Sequence, residues 1–384
     1  MRQTQPLSPE AAWLPSLNNP LGIYLHVPFC DSKCAYCDFY SYRADVSVYE
    51  QYCDSLCKHI ALAGEMLNRP CDTLYFGGGT PSLLGGERIA KLVNTVKKSF
   101  GQNITEITVE CNPAEDLKDD FKLMANAGVN RISLGVQSGI DAELKALSRR
   151  HTSADVIRTV KDIKAVGIAN ISLDLMLGIP RQTMESLKSS LDFLLSLKPT
   201  HISAYMLKIE PDTPFGKADI KTLQLPDDDT VSDMYLFTSE YLTSHGFEHY
   251  EISNFAKQGF RSKHNTRYWL CDEYLGLGPS AYSYLNGKRF SFDRNYQKYI
   301  TSPTVKSDGL GGDFTEYCML RLRLKDGIDL SELSTRFGES KASEIKQKAT
   351  KLLNTGLINL TQNTLSLTVQ GFLVSNAVIG ELLF

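Results

Sequence analysis

Three cysteines, Cys30, Cys34 and Cys37, lie close together near the N-terminus in the spacing C-x3-C-x2-C. They follow an apolar run, 23–29, that predicts a β-strand. Iron–sulfur clusters are held by cysteine thiolates, usually four for a four-iron cluster. Three thiolates in one short loop can therefore hold three corners of a [4Fe-4S] cluster and leave the fourth iron open to a small molecule.

Two other interpretations of these cysteines are a zinc site and a set of buried thiols. Zinc usually takes four ligands in paired C-x2-4-C spacings, and no further cysteine or histidine lies close after Cys37. Cys53 and Cys57 are four residues apart on a predicted helix, where they share the apolar face, so we interpret them as core residues. The prediction is a [4Fe-4S] cluster bound by the three clustered cysteines.

The rest of the first half alternates between strand and helix periodicity. The predicted strands cover 23–29, 73–76, 106–110, 131–136, 170–177 and 201–209. The predicted helices cover 46–63, 87–100, 116–127, 141–147, 153–165 and 183–197. Strands that alternate with helices form a parallel sheet with right-handed crossovers. The pattern therefore predicts an α/β fold.

Polar residues and glycines stand at the ends of these strands. Glycines 77–79 with Thr80, and then Glu110, Gln137 and Asp174, each follow an apolar run. The glycines lack the Lys-Ser/Thr of a P-loop, but they allow a ligand to approach the backbone closely. Glycines at strand ends usually only make turns. Several strand ends that carry suitable groups favour one ligand site, because barrel active sites form at the C-terminal ends of strands.

The cysteine spacing after a strand, flanked by aromatic residues, resembles the cluster loop of the radical S-adenosylmethionine (SAM) enzymes. In those enzymes, the amino and carboxylate groups of SAM chelate the fourth iron. Six strand–helix units are fewer than the eight of a TIM barrel, and the pattern alone also allows an open, doubly wound sheet. The resemblance implies an incomplete, three-quarter (βα)6 barrel.

Six segments resemble, in order, the motifs of the oxygen-independent coproporphyrinogen III oxidase family and its close relatives. They are YLHVPFCDSKCAYC, YFGGGTPS, TVECNP, LGVQS, LSRRHT and LDLMLGIPRQT. The resemblance implies that the SAM site consists of Tyr24, Gly78, Gly79, Thr80, Glu110, Gln137, Arg149 and Asp174. By residue type, Glu110 would meet the amino group of SAM, Arg149 its carboxylate and Asp174 the ribose hydroxyls. The alternative for Arg149 is a surface arginine beside Arg150.

The chain departs from the oxidase pattern in two places. The oxidase has a fourth cysteine two residues beyond the third, where this chain has Phe39, and it has a longer N-terminal region. Both departures match the sister group, the HemW haem chaperones. That resemblance implies a protein that binds haem and delivers it to a respiratory haem protein, with transfer at a membrane surface as one option. The alternatives are coproporphyrinogen III oxidase activity and a radical SAM enzyme for another substrate.

An HNxxYW segment at 264–269 resembles the haem-binding motif of these chaperones. It implies that His264 is the haem ligand, because a neutral imidazole can ligate haem iron and aromatic rings can pack on a porphyrin. The alternative is a hydrogen-bonded histidine in an aromatic core. His245 and His249 are further candidate ligands that only their proximity recommends.

Composition limits the location and the partners. The net charge of −3 gives no reason to expect nucleic-acid binding. No apolar run approaches the ~20 residues that span a bilayer, and the N-terminus lacks the apolar core of a signal peptide. Nine cysteines, an odd number with three bunched together, suit metal ligation rather than disulfides. We therefore expect a cytoplasmic protein, and the resemblance is compatible with a homodimer.

These patterns divide the chain into four regions. We predict a flexible lead-in at 1–19, the radical SAM barrel at 20–216, a haem-binding extension at 217–304 and a winged-helix-like domain at 305–384. The helix pattern of the last region resembles DNA-binding modules, which use a basic third helix. Here glutamates accompany the lysines of that helix, so the prediction is a packing or partner-docking domain.

Overall fold

Six parallel strands form the centre of the computed structural model, which describes residues 19–113 and 117–384. The strands are β1 (Leu21–Val27), β2 (Cys71–Gly78), β3 (Glu106–Cys111), β4 (Arg131–Gln137), β5 (Asn170–Leu177) and β6 (His201–Met206). The helices between them are α1 (Val46–Leu67), α2 (Gly86–Phe100), α3 (Lys118–Ala127), α4 (Asp141–Ala146), α5 (Ser153–Ala165) and α6 (Met184–Ser196). The predicted lead-in lies, except for residue 19, outside the described residues.

The six strands pair in chain order, and every pair is parallel. Their residues are buried almost without interruption, as expected for strands that are covered on both faces. β1 and β6 do not pair with each other. The prediction of an incomplete (βα)6 barrel is confirmed.

The extension after β6 lengthens the sheet at both of its edges, which the sequence did not predict. Its elements are α7 (Pro214–Lys217), α8 (Ile220–Leu223), α9 (Asp228–Ser244), β7 (Glu248–Glu251), β8 (Asn254–Ala256), α10 (Lys263–Trp269), β9 (Tyr274–Leu277), β10 (Tyr282–Leu285), β11 (Lys288–Phe292), α11 (Tyr296–Thr301) and β12 (Val305–Leu310). β9 pairs with β1, and β8 pairs with β6. The full order is β12-β11-β10-β9-β1-β2-β3-β4-β5-β6-β8-β7.

The short helix α10 lies against the N-terminal ends of the barrel strands. The Glu106 carboxylate, at the start of β3, accepts hydrogen bonds from the backbone N–H groups of Lys263 (2.9 Å) and His264 (3.0 Å). A carboxylate at a helix N-terminus satisfies free N–H groups and complements the helix dipole. Arg267 pairs with Asp72, near the start of β2, at 2.5 Å. α10 thus forms the floor of the barrel. It lies opposite the loop after β1 that carries Cys30, Cys34 and Cys37, which we call the cysteine loop.

The last part of the chain is a helical unit with its own small antiparallel sheet in the order β13-β15-β14. Its elements are α12 (Phe314–Arg321), β13 (Ile328–Asp329), α13 (Leu330–Phe337), α14 (Glu339–Leu352), β14 (Ile358–Leu360), β15 (Thr364–Leu367), α15 (Val369–Leu373) and α16 (Ser375–Leu383). Because β12 pairs with β11, a boundary at residue 305 would separate β12 from the sheet to which it belongs, and the last unit begins at α12. Within the described part of the chain, no helix has the length and apolar character needed to cross a membrane.

Candidate functional site

A cavity of about 500 Å³ opens at the C-terminal ends of the parallel strands, between them and the cysteine loop. Ten of the twelve predicted site residues line it: Cys30, Cys34, Cys37, Gly78, Gly79, Thr80, Glu110, Gln137, Arg149 and Asp174. Tyr24 and His264 do not. A second cavity of about 370 Å³ shares Cys34, Thr80 and Arg149 with the first, so the two form adjoining parts of one site.

The three clustered cysteines are free thiols on the wall of this cavity. Cys30 Sγ lies 3.5 Å from the Thr80 hydroxyl, and Arg149 donates to Cys34 Sγ at 3.5 Å. No three His, Cys, Asp or Glu side chains of the described residues converge on a single ion. Three thiols on one cavity wall are the ligand type that iron–sulfur clusters use.

The glycines at the end of β2 are required by close packing. Gly78 has a φ of +117°, and a Cβ there would lie 2.7 Å from the His26 ring. A Cβ on Gly79 would lie 2.4 Å from the carbonyl oxygen of Phe29. His26 is buried, with Nε2 3.2 Å from the Tyr40 carbonyl oxygen. This histidine, which sequence reasoning missed, links the glycine turn to the cysteine loop.

Two carboxyl groups, Glu110 and Asp174, form the polar base of the cavity. Glu110 accepts from the Tyr75 hydroxyl (2.8 Å) and from the Gly78 N–H (3.2 Å). Burial, and after it the nearby Asp174, raises the pKa of Glu110 to about 7. Burial raises the pKa of Asp174 to about 6, while Ser133 donates to it at 3.3 Å. Buried carboxyls with raised pKa values are stabilised in their ionised form by a cationic ligand.

Arg149 is the cationic group of the cavity wall. One guanidinium nitrogen donates to Asn112 Oδ1 (2.6 Å) and to the Gly135 carbonyl (2.7 Å). Its neighbour Arg150 is exposed, so the alternative of a surface arginine applies to Arg150 and not to Arg149. Asn112 also donates to Thr80 at 2.9 Å. Sequence reasoning missed Asn112, which could have been found from its position two residues after Glu110 in the strand-end motif TVECNP.

Tyr24 lies below the cavity, inside the barrel. Its ring stacks on Tyr75, with centroids 6.2 Å apart, and its hydroxyl lies 3.0 Å from His26 Nδ1.

Gln137 lines the cavity with a φ of +71°, at an irregularity in the register between β4 and β5. Such backbone strain in a residue other than glycine clusters at functional sites.

His264 lies on the barrel floor, far from solvent. It is fully buried, its Nδ1 is 2.9 Å from the Thr73 hydroxyl, and its Nε2 is 2.8 Å from the Tyr268 hydroxyl. Burial lowers the pKa of His264 to about 3, so the ring is neutral. Haem ligation by His264 stays a prediction: both ring nitrogens are engaged in hydrogen bonds and the side chain is buried, so ligation would require α10 to move away from the barrel floor. The arrangement is that of the alternative, a hydrogen-bonded histidine in an aromatic core.

The cavity fits a cluster and SAM by the chemistry of its donors. Cys30, Cys34 and Cys37 would hold the cluster, and Glu110 and Asp174 would face the positive charge and the N–H and O–H donors of SAM. Arg149 would face its carboxylate. When bound, a cluster with three protein ligands supplies an open iron for the amino and carboxylate groups of SAM.

Sequence comparison places the chain in a known class. Residues 24–194 match the model of the radical SAM superfamily, and residues 314–374 match the HemN C-terminal domain. The fold resembles the coproporphyrinogen III oxidase HemN of Escherichia coli, with a TM-score of 0.82 and 21% identity over 95% of this chain and 90% of that chain. The chain is therefore a radical SAM protein with a HemN-like fold.

Two curated relatives are similar along almost their whole length. The heme chaperone HemW of Lactococcus lactis is 34% identical over 377 residues, which cover 96% of this chain and 98% of the relative. That of Bacillus subtilis is 33% identical over 372 residues, which cover 94% and 98%. The chain belongs to the HemW family.

Proposed function

We propose that this protein is a haem chaperone that holds a [4Fe-4S] cluster on Cys30, Cys34 and Cys37 and SAM at the adjoining strand ends. The observation that carries the proposal is the cavity that gathers the three thiols, the Glu110–Asp174 pair and the Arg149 guanidinium. The near-full-length similarity to proteins named heme chaperones supports haem as the cargo. The acceptor would be a respiratory haem protein in contact with the cytoplasm.

Anaerobic reconstitution tests the cofactor part of this proposal. Iron, sulfide and haem are counted per chain for the wild type and for Cys30→Ala, Cys34→Ala and Cys37→Ala. Each of these variants should lose the charge-transfer absorption of the cluster. Cys53→Ala is the matched control, because Cys53 is a buried helix residue outside the cavity. A cluster that survives in Cys37→Ala but not in Cys53→Ala would refute the assignment.

A haem-transfer assay tests the proposed chaperone function. Haem-loaded protein, mixed with an apo-cytochrome whose folded form binds haem, should lose haem to that acceptor.

The competing activity is coproporphyrinogen III decarboxylation. Phe39 speaks against it, because this side chain stands at the cavity mouth, 69% exposed, where the oxidase pattern has a cysteine. Protoporphyrinogen formed from coproporphyrinogen by the unmodified protein with SAM and a reductant would overturn the chaperone proposal.

A further inference from the structure

One cation, Arg131, lies inside the barrel and has no role in the proposed SAM site. Its side chain is among the largest that are fully buried, with 1% of its surface exposed. Arg131 begins β4, and alternate residues of a strand point to the same face. It therefore shares a face with Ser133 and Gly135, which line the cavity. The Arg131 guanidinium thus lies in the barrel interior, beneath the cavity.

Arg131 has carboxyl groups on both neighbouring strands. In the register of the sheet it lies beside Thr108 of β3, and Glu106 and Glu110 flank Thr108 on the same face of that strand. On the other side, β5 carries Asp174 at the base of the cavity. Burial lowers the pKa of Arg131, but its acidic neighbours, Glu106 first, raise it above the usual value. Arg131 is therefore charged, between Glu106 at the floor and the Glu110–Asp174 pair.

Two of the three guanidinium nitrogens of Arg131 make no hydrogen bond. Nε and Nη1 are buried, and neither has a partner among the described residues. A charge in a protein interior is costly unless other charges or hydrogen bonds compensate it. Because these two nitrogens are unbonded, the compensation comes from the electric field of the surrounding carboxyls, and Arg131 in turn acts on those carboxyls through its own field.

Two arginines, four tyrosines and the three thiols of the cysteine loop face the Glu110–Asp174 pair. A tyrosine loses its proton only near about pH 10, so the tyrosines are neutral in the range in which the carboxyls titrate. They are Tyr24, Tyr75, Tyr205 and Tyr268. Arg149 lies on the cavity wall, where it would face the SAM carboxylate. Arg131 remains as the cation beneath the pair.

Resting on the proposed SAM site, we propose that Arg131 is the internal counter-charge of Glu110 and Asp174 and sets the pH range over which this pair accepts the cationic SAM. Arg131 does not touch SAM. It is a positioning residue that acts through the two carboxyls. Burial raises the pKa values of both carboxyls, whereas Arg131 acts on both in the opposite direction. The pair is therefore ionised at a lower pH than it would be without this cation.

Equilibrium binding of SAM to the cluster-loaded full-length chain, measured between about pH 5.5 and 9, tests this role. Arg131→Met removes the charge and keeps a long side chain. It should move the pH midpoint of SAM binding upward by about one unit and weaken binding about five- to tenfold near pH 7. Arg131→Lys keeps the charge and should keep the midpoint. Arg69→Met is the matched control, because Arg69 is also buried but pairs with Glu273 at 2.6 Å. Its midpoint should equal that of the wild type.

The pH dependence of stability gives a second measurement, on the chain without cluster or SAM. A carboxyl whose pKa is raised by folding makes the folded state less stable as the pH rises through that pKa. Loss of the Arg131 charge raises both pKa values further. The free energy of unfolding should therefore fall more between about pH 5 and 9 in Arg131→Met than in the wild type. A purely structural role would lower it equally at both pH values.

The contrary outcomes separate this inference from the proposed SAM site. If the wild type binds no SAM at any pH, both are refuted. If the wild type binds SAM and Arg131→Met keeps its pH midpoint, the role of Arg131 is refuted and the SAM site stands. An equal shift in Arg69→Met would trace the effect to lost stability and also refute the role. If Arg131→Met does not fold, Arg131→Gln is the neutral variant. Failure of both to fold would show that the charge serves the fold and not SAM, which refutes the role as well.

Discussion

Glu110 and Asp174 show how single residues adapt this barrel to a charged ligand. Each carboxyl is half-buried at the base of the cavity, and desolvation holds its pKa above the usual value. Without a ligand, the folded state therefore binds more protons than the unfolded chain between the usual and the raised pKa values. These two groups thus make the protein less stable as the pH rises through that window. A bound cation offsets this loss of stability, because it favours the ionised carboxylates.

SAM binding should consequently strengthen as the pH rises between about 5.5 and 8. SAM carries a permanently positive sulfonium, and its amino and hydroxyl groups donate hydrogen bonds to ionised carboxylates. Glu110→Gln should weaken SAM binding about ten- to a hundredfold and flatten the pH dependence near pH 7, as measured by equilibrium binding to the cluster-loaded protein. A Glu110→Gln variant with the wild-type pH profile would contradict this account.

His264 has a structural role that can be measured. Replacing it with alanine leaves the Thr73 and Tyr268 hydroxyls without their partner in the core. His264→Ala should lower the free energy of unfolding by about 2–4 kcal/mol in chemical denaturation. The folded fraction should also lose haem binding if His264 is the ligand. Haem binding like that of the wild type would leave His264 with the structural role alone.

Among the structural elements, the cysteine loop depends on the extension for its position. The Tyr296 N–H donates to the Tyr40 hydroxyl at 3.1 Å, and the Tyr296 ring stacks on Tyr42 with centroids 4.3 Å apart. Arg294 donates to the Asp38 carbonyl at 3.4 Å. These contacts hold the part of the loop that follows Cys37. The extension therefore stabilises the loop that carries Cys30, Cys34 and Cys37.

Tyr296→Ala should shorten the lifetime of the reconstituted cluster. The lost ring contacts are worth about 0.5–1.5 kcal/mol, so loss of the cluster to an iron chelator should accelerate about two- to tenfold. Tyr296→Phe keeps both the ring and the backbone N–H and serves as the matched control. The cluster absorbance followed over time after chelator addition measures the effect. Equal decay rates in all three proteins would mean that the extension does not support the loop.

At the scale of the whole molecule, the barrel and the extension share one sheet. β9 covers the edge of β1, β8 covers the edge of β6, and α10 closes the floor. The last unit joins the barrel side through backbone hydrogen bonds from Ile252 to Arg323 (3.2 Å) and from Lys325 to Tyr250 (2.9 Å). The six-strand barrel therefore has two open edges and an open floor when it is alone.

A fragment of residues 1–216 should consequently fail to fold cooperatively. Its uncovered strand edges favour aggregation, and Glu106 loses the helix end that it caps. A fragment of residues 1–312 keeps all twelve strands of the large sheet and should unfold cooperatively at a lower temperature than the full chain. Near-UV circular dichroism during thermal unfolding distinguishes these cases. Cooperative unfolding of the 1–216 fragment would show that the barrel is autonomous.

The sequence alone was enough to predict the order of strands and helices in the barrel and the cavity residues at its strand ends. Periodicity is a local signal, and a parallel sheet brings the C-terminal ends of its strands together. Cys30, Glu110 and Asp174 are far apart in the chain, yet Cys30 was predicted from its position after a strand, and Glu110 and Asp174 from their positions in the C-terminal part of a strand. Arg149 was predicted only through the family resemblance, because it follows a helix and not a strand.

Only the tertiary structure decided where His264 lies and how the extension joins the barrel. The HNxxYW motif has the right residue types for haem, but α10 lies against β2 and β3, and this packing buries His264. Local patterns specify the faces and ends of elements. Which distant element covers a given face depends on contacts between residues that are far apart in the chain, and these the local patterns do not encode.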